Sequence, residues 1–356
     1  MNTTTVRSNI HDYQIFYESD FSFARKILSI ENAIFIIDEN IIMYYPIITE
    51  LADRSRLIKF TAIEESKTLA AAEKIIDRII ELKPNKKTTV VSFGGGITQD
   101  VTGFVASVFY RGLRWVYVPT TLLAQADSCM GSKTSLNYKS YKNILGTFYP
   151  PHEIYICPDF LLTLKAEDFY SGMGEVAKLH LMSSEKDVKD LTSKIDSVNK
   201  KEISVLLHLI KQSLKIKWSY MEQDEFDAGK RNLLNYGHCF GHAIESATLY
   251  KIPHGQAVII GMIIANSIAA DKGLISQEKK KSIDDSLLFP LLKSNYKILK
   301  NISADAVIDG IKQDKKRIGT GLPLILLHHD YTLEKITNLS IEKAKEAYSK
   351  FIQEYC

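Results

Sequence analysis

Residues 88–112 read TTVVSFGGGITQDVTGFVASVFYRG, and the passage changes character twice. Thr88 to Phe93 is an apolar, β-branched run of strand length, Gly94, Gly95 and Gly96 interrupt it, and helix-like sequence follows from Val101. Glycines between a strand and a helix let the backbone approach a phosphate, whose charge the helix N-terminus favours. The run is not the G-x-G-x-x-G fingerprint, and the same glycines would also serve a tight turn.

Working outward, the strand is one of a series. Ala33 to Ile37 is a short apolar burst that ends in Asp38-Glu39-Asn40, and Leu57 to Ala62 is a second strand that leads to Glu64, Glu65 and Lys67. Helix-forming stretches at Tyr44 to Asp53 and Leu69 to Leu82 separate them, and Trp115 to Val118 adds a strand that ends in Pro119-Thr120-Thr121. Strands alternating with helices argue for a doubly wound α/β sheet, with ligands at the carboxyl ends of its strands. From Asp127 to Pro151 the text is dense in Gly, Ser, Asn and Lys without clear period. Lys133, Asn137, Lys142 and Asn143 among small residues point to an anion-binding loop there. Beyond Pro158 the pattern is helical: Ser171–Leu181, Asp187–Val198, Ile203–Gln223, Arg231–Thr248, Gly255–Ala270 and a last helix from Ser340. The expected organisation is an α/β domain over residues 1–165 and an all-α domain over residues 166–356.

One stretch of the helical half, RNLLNYGHCFGHAIESATLYKIPH at 231–254, puts polar groups where a helix presents its core. Arg231, Asn235, His238 and His242 fall at i, i+4, i+7 and i+11, one stripe of a 3.6-residue helix. Buried without partners, such a stripe is costly. A divalent metal and an anionic substrate would satisfy it. HxxxH by itself is also met as a hydrogen-bonded core pair. His254 and Glu175, in SGMGEVAK, supply further nitrogen and oxygen donors of the kind that suits an open, catalytic metal site. Lys217 lies in an otherwise ordinary amphipathic helix and reads, from its spacing, as a surface lysine.

Composition sets bounds on these readings. The 356 residues suffice for two cored domains, and 45% hydrophobic with 24% charged residues is ordinary globular composition. A formal charge of +3, with Lys279–Lys281 as the one basic cluster, gives no support for nucleic-acid binding. Cys129, Cys157, Cys239 and Cys356 form no CxxC pair, so reduced thiols in a cytoplasm are expected. The first residues lack an apolar signal core, and the run Val258–Ala265 falls short of the ~20 residues that cross a bilayer, so no membrane partner is expected.

Taken in order, these motifs resemble the sugar phosphate cyclases, most closely the dehydroquinate synthase branch. The likeness runs through DEN at 38–40, EESKT at 64–68, GGGITQDVTGF at 94–104, YRG at 110–112, PTTLLAQADS at 119–128, GSKTSLN at 131–137 and KN at 142–143. It continues through SGMGEVAK at 171–178, the series from Lys217 to His242, HGQAV at 254–258 and DKK at 314–316. The resemblance implies a Rossmann-like NAD-binding domain, a helical metal-binding domain and an active site between them. Asp38, Asn40, Glu64 and Lys67 would hold the adenosine end of NAD, Gly95, Gly96, Asp100, Thr120, Thr121 and Thr163 its pyrophosphate and nicotinamide, and Lys142 would also belong to the cofactor-binding set. Glu175, His238 and His254 would hold zinc or cobalt, with His242 turned to the substrate phosphate. Asp127, Lys133, Asn143, Lys178, Lys217, Arg231, Asn235 and Lys315 would surround a phosphorylated sugar acid, and Arg111 would reach in from the partner of a homodimer.

Within the superfamily, the pattern RNLLNYGHCFGH favours 3-deoxy-arabino-heptulosonate 7-phosphate as substrate and 3-dehydroquinate as product. Three positions depart from the branch: Ser132 replaces a glycine, Tyr138 a histidine and Gln256 a glutamate. The last is expected to weaken carboxylate support beside the ligand His254. A sister cyclase of amino-dehydroquinate, epi-valiolone or 2-deoxy-scyllo-inosose type, or a non-catalytic NAD-binding regulator, are the alternatives.

Overall fold

The computed structural model describes residues 2–139, 141–312 and 321–356. The chain divides into two compact units, Met1–Leu164 and Lys165–Cys356.

The first unit is built on a seven-stranded sheet. Its strands are β1 (Asn2–Val6), β2 (Tyr13–Tyr17), β3 (Ala33–Asp38), β4 (Leu57–Phe60), β5 (Thr89–Gly94), β6 (Arg114–Pro119) and, after the hairpin β7 (Leu136–Tyr138) and β8 (Tyr141–Leu145), β9 (Glu153–Ile156). The order is β1-β2-β9-β6-β5-β3-β4, parallel throughout except for β1, which pairs antiparallel with β2 at the edge. β3 and β5 are wholly buried, as expected of central parallel strands whose faces are both covered. From β3 the chain turns one way to β4 and the other way to β5, so the strand order reverses between β3 and β5. In open α/β sheets ligands gather at such a switch point, and the glycine turn follows β5. Part of the stretch 127–151, read from its sequence as a loop without clear period, forms the hairpin β7–β8, where the Asn143 N–H donates to Asn137 Oδ1 at 2.9 Å.

Just before β9, His152 accepts from the Trp115 backbone N–H through Nδ1 at 3.4 Å and stacks on His11 with ring centroids 4.0 Å apart. Burial, with His11 and Arg114 nearby, lowers its pKa from 6.5 to about 4. The unfolded chain therefore binds the extra proton first as pH falls. This group's stabilisation is complete above pH 6.5 and is lost between 6.5 and 4. His152→Gln is expected to flatten the decline in melting temperature across that window; an unchanged slope would show that His152 is protonated in the fold.

The second unit is helical, with one antiparallel hairpin, β10 (Leu322–Leu327) and β11 (Leu333–Leu339), packed on its central helix. That central helix, His254–Asp271, is buried on every face from Gly255 to Ala269, as a predominantly apolar sequence with no polar face dictates. The helices Ala166–Leu181 and His238–Ala247 pack against it. No described helix is long and apolar enough to cross a membrane.

Candidate functional site

In the first unit the glycine turn is fixed by its neighbours. The Tyr117 hydroxyl donates to the carbonyls of Gly94 and Gly95, each at 3.1 Å, and the Thr120 N–H donates to Gly94 O at 3.0 Å. A Cβ on Gly95 would fall 2.8 Å from the Thr121 methyl, so the turn requires glycine. Gly96 opens the helix Gly96–Val108, whose free N–H groups suit a phosphate. Asp38, at the end of β3, accepts from the Asn40 backbone N–H at 3.0 Å and from its side-chain amide at 3.1 Å. Thr163 pairs with the Tyr45 hydroxyl at 2.9 Å.

A second cluster joins residues that the sequence assigned to different ligands. Lys67 Nζ lies 2.6 Å from Asp100 Oδ2 and donates to Asn143 Oδ1 at 2.6 Å. Ser135 donates to Asp100 from its N–H and its hydroxyl, and Asn137 donates from Nδ2 to Glu64 at 2.9 Å. Burial would raise the Glu64 carboxyl, but Asn137, Lys142 and Lys67 outweigh it and hold the group below its usual range. Asn143, expected beside the substrate, thus accepts from Lys67, expected at the cofactor, and from Ser135, and both of these also contact Asp100. Ser135 is a functional candidate that sequence reasoning did not separate from its polar surroundings, whereas Asn137, read as part of an anion-binding loop, here holds Glu64. Asp127 lies in the turn Ala124–Ser128, and Lys133 is exposed where its backbone bridges Phe148. Arg111 is exposed in a strained turn, with Tyr110 at φ 52° and Arg111 at φ 67°.

In the second unit the stripe of Arg231, Asn235, His238 and His242 is not one helix. Lys230–Asn235 is a 3₁₀ turn, Gly237 takes φ +78°, and an α-helix begins only at His238. The break comes from close packing: a Cβ on Gly237 would lie 2.7 Å from Val258 O, and one on Gly261 2.0 Å from Gly237 O. Arg231 is buried, donates to Glu225 O, and receives its own anchoring from Asp224, which accepts the Arg231 N–H at 2.8 Å. Asn235 donates to Asn232 O at 2.8 Å. Lys217 is buried rather than on the surface, because the helix Ile203–Met221 packs against both the Glu175 helix and the Lys230–Asn235 turn. Lys178 is buried as well, in an ion pair with Glu175. Lys315 lies outside the described residues.

Glu175, His238 and His254 come together. Glu175 Oε1 is 3.1 Å from His254 Nε2 and 3.6 Å from His238 Nε2. Donors about 2.1 Å from a shared ion in tetrahedral array lie roughly 3.4 Å apart, so these separations fit a divalent metal. Both remaining ring nitrogens are engaged: His238 Nδ1 donates to Tyr236 O at 3.1 Å, and His254 Nδ1 pairs with Glu245 Oε2 at 2.9 Å. That leaves each Nε2 to face the centre. Both Glu175 oxygens are shut from solvent without a well-aligned hydrogen bond among the described residues. Burial would raise its pKa, yet Lys178, His238 and His254 hold it well below the usual range. Burial would lower His254, but Glu245 and Glu175 push it up to about 10. His242 stands beside the centre, its ligand atoms within 4.8 Å of those of His238 and His254. Glu245 escaped sequence reasoning; its position seven residues after His238, on the same helix face, was the available signal.

Gln256 does not face the ligands. Its Nε2 donates to Tyr170 O at 2.8 Å and Leu291 O at 3.1 Å, while Oε1 accepts from the N–H groups of Lys293 and Ser294 at 2.7 and 3.0 Å. The expected loss of carboxylate support at 256 is therefore corrected: a carboxylate reaches His254 from residue 245. Gln256→Glu would set an oxygen against two carbonyls, and it folds best while protonated. Its folded pKa is then raised, so stability present at low pH is lost as pH rises above the unfolded value near ~4.3. We expect a penalty that grows to about 1–3 kcal/mol by pH 8; melting curves at pH 4.5 and 8 with the same gap from the parent would sink this account. Ser132 is buried and Tyr138 exposed, and nothing in the structure explains either departure.

A mostly parallel sheet with a glycine turn at its switch point, joined in one chain to a helical unit with a carboxylate–imidazole centre, is the architecture of solved sugar phosphate cyclases. The solved structure of 2-deoxy-scyllo-inosose synthase complexed with carbaglucose-6-phosphate, NAD+ and Co2+ superposes with a TM-score of 0.84 at 26% identity, covering 98% of this chain and 99% of that one. Family models for the N-terminal and C-terminal parts of 3-dehydroquinate synthase match residues 57–171 and 172–317. The 3-dehydroquinate synthase of Sulfurovum sp. is 35% identical over 292 residues, 82% of this chain and 81% of that protein. That of Dictyoglomus thermophilum is 37% identical over 296 residues, 81% and 82%. The chain belongs to the 3-dehydroquinate synthase family.

Proposed function

We propose that the protein is a 3-dehydroquinate synthase, a lyase that converts 3-deoxy-arabino-heptulosonate 7-phosphate into 3-dehydroquinate and phosphate with NAD and zinc or cobalt. The observation that carries this reading is the convergence of Glu175, His238 and His254, each histidine with Nδ1 already engaged. When bound, NAD supplies reversible hydride acceptance, and the divalent ion polarises the reacting hydroxyl and stabilises developing negative charge.

The chain's own groups supply binding and orientation. Gly95, Gly96, Thr120 and Thr121 at the turn after β5, with Asp38, Asn40, Glu64, Lys67, Asp100, Lys142 and Thr163, form the NAD-binding set. Lys178, Lys217 and Arg231 hold three positive charges at buried positions of the second unit. Lys178 is paired with Glu175 and Arg231 with the Glu225 carbonyl, and a substrate with both a carboxylate and a phosphate would be drawn to this positive cluster. Arg231 suits a planar, two-pronged contact with such a group. By the family resemblance, Asp127, Lys133 and Asn143 of the first unit and Asn235 and His242 of the second are further substrate residues. Arg111, exposed in its strained turn, would serve the neighbouring subunit of a homodimer, and the cytoplasm is the expected compartment.

The test is phosphate release by zinc- or cobalt-loaded protein with NAD, offered the heptulosonate phosphate, sedoheptulose 7-phosphate and glucose 6-phosphate in parallel, with product mass checked. Turnover of the first alone is expected. Turnover of another sugar in its place would assign a sister cyclase, and release from none with NAD bound would favour the regulator.

A further inference from the structure

The two histidines assigned to the metal are held differently. His238 leans on a backbone carbonyl, that of Tyr236, whereas His254 leans on a side-chain carboxylate, that of Glu245. Glu245 and His238 sit two turns apart on one face of the helix His238–Ala247, and His254 opens the next helix. The two helices approach closely because Gly241 lies against Ala257 and Val258: a Cβ there would fall 3.2 Å from Val258 Cα. The link between them is tight, with Leu249 and Tyr250 at φ 52° and 60° and the Tyr250 N–H closing on Glu245 O at 2.8 Å. The Glu245 side chain is only 12% exposed. A carboxylate in the last turn of a helix faces carbonyl dipoles, an unfavourable place for negative charge. The imidazole of His254 offsets that charge.

We propose that Glu245 is the positioning residue for His254: it fixes the ring's tautomer and direction so that Nε2, rather than Nδ1, is presented beside Glu175. The helix that carries His238 thereby supplies one ligand and aims another, and the donor set is complete only when this helix is docked on the His254 helix. The inference rests on the assignment of Glu175, His238 and His254 as metal donors. A carboxylate behind a metal-bound imidazole raises its basicity as well as orienting it, and losing such a partner costs about 10–100-fold in metal affinity.

The experiment is a Co2+ titration of the full-length, metal-stripped protein, followed by visible absorbance and by equilibrium dialysis, for the parent, Glu245→Ala, Glu245→Gln and His254→Ala. Helix content and melting temperature are recorded for each. Glu245→Ala is expected to weaken Co2+ binding about 10–100-fold and to change the absorption bands, with helix content retained. Glu245→Gln keeps the shape and an acceptor oxygen, is expected to fall between, and carries the test should the alanine variant fail to fold. Parent-like affinity and bands in the folded Glu245 variants, with Co2+ lost in His254→Ala, would overturn the proposal alone. A parent that binds no Co2+ at one-to-one ratio, or a His254→Ala variant that binds it as the parent does, would overturn the metal assignment beneath it.

Discussion

His254→Ala is expected to lose metal and turnover together. The side chain has two partners, Glu175 at Nε2 and Glu245 at Nδ1, so its removal leaves two carboxylates facing a gap. Losing a group that merely supports a ligand costs about 10–100-fold in affinity, and losing the ligand itself should cost more. Phosphate release should fall by a larger factor than that, because a divalent ion held by Glu175, His238 and His254 would polarise the reacting hydroxyl. Leaving Glu175 with fewer positive neighbours should also move its carboxyl upward from the low range that Lys178, His238 and His254 now enforce. Metal analysis of the dialysed variant, together with the phosphate assay, checks both. Full metal content with normal turnover would show that His254 is not a ligand.

Gly255→Ala is expected to be the most damaging single methyl group in the second unit. A Cβ at 255 would lie 1.8 Å from Ser171 O, and a Cβ at Gly174 would lie 2.1 Å from Gly255 O. The helices Ala166–Leu181 and His254–Asp271 thus touch backbone to backbone, where no side-chain rotation gives relief. The Gly255 N–H also donates to Ser171 Oγ at 3.0 Å. Relief must come from moving one helix, which stretches the Glu175–His254 contact at the same time. Overpacking of this kind costs about 3 kcal/mol, or roughly 6–12 °C in melting temperature for a unit of this size, and Co2+ affinity should drop with it. Gly273→Ala is the control. Its φ of +73° is unfavourable for alanine, but nothing lies within 4 Å of the new methyl, so a cost of about 1–2 kcal/mol without loss of metal is expected. Equal melting temperatures for Gly255→Ala and the parent would refute the contact.

The alternation of strands and helices from Ala33 to Pro119 was legible because burial on both faces leaves continuous apolar runs at β3 and β5, and the connecting helices carry their own period. The buried helix from His254 was equally plain, since its long apolar run Val258–Ala265 leaves no polar face. The ligand set came from motifs in fixed order, with Glu175, His238 and His254 named by resemblance before any geometry. Local pattern misled at Arg231–Thr248, where a 3.6-residue stripe ran across a chain that breaks at Gly237. The break is imposed by Val258, Met262 and Gly261, about two dozen residues further on.

What the sequence determined by itself is therefore what depends on near neighbours: the element types, the switch-point glycines and the donors available to a metal. The tertiary structure alone decided which distant groups meet. It buried Lys217, joined Lys67 to Asn143, turned Gln256 toward four backbone groups, and brought Glu245 to His254. Periodicity records which face of an element is covered. The partner of a side chain depends instead on how two elements are packed, as where Gly174 and Gly255 let their helices touch backbone to backbone.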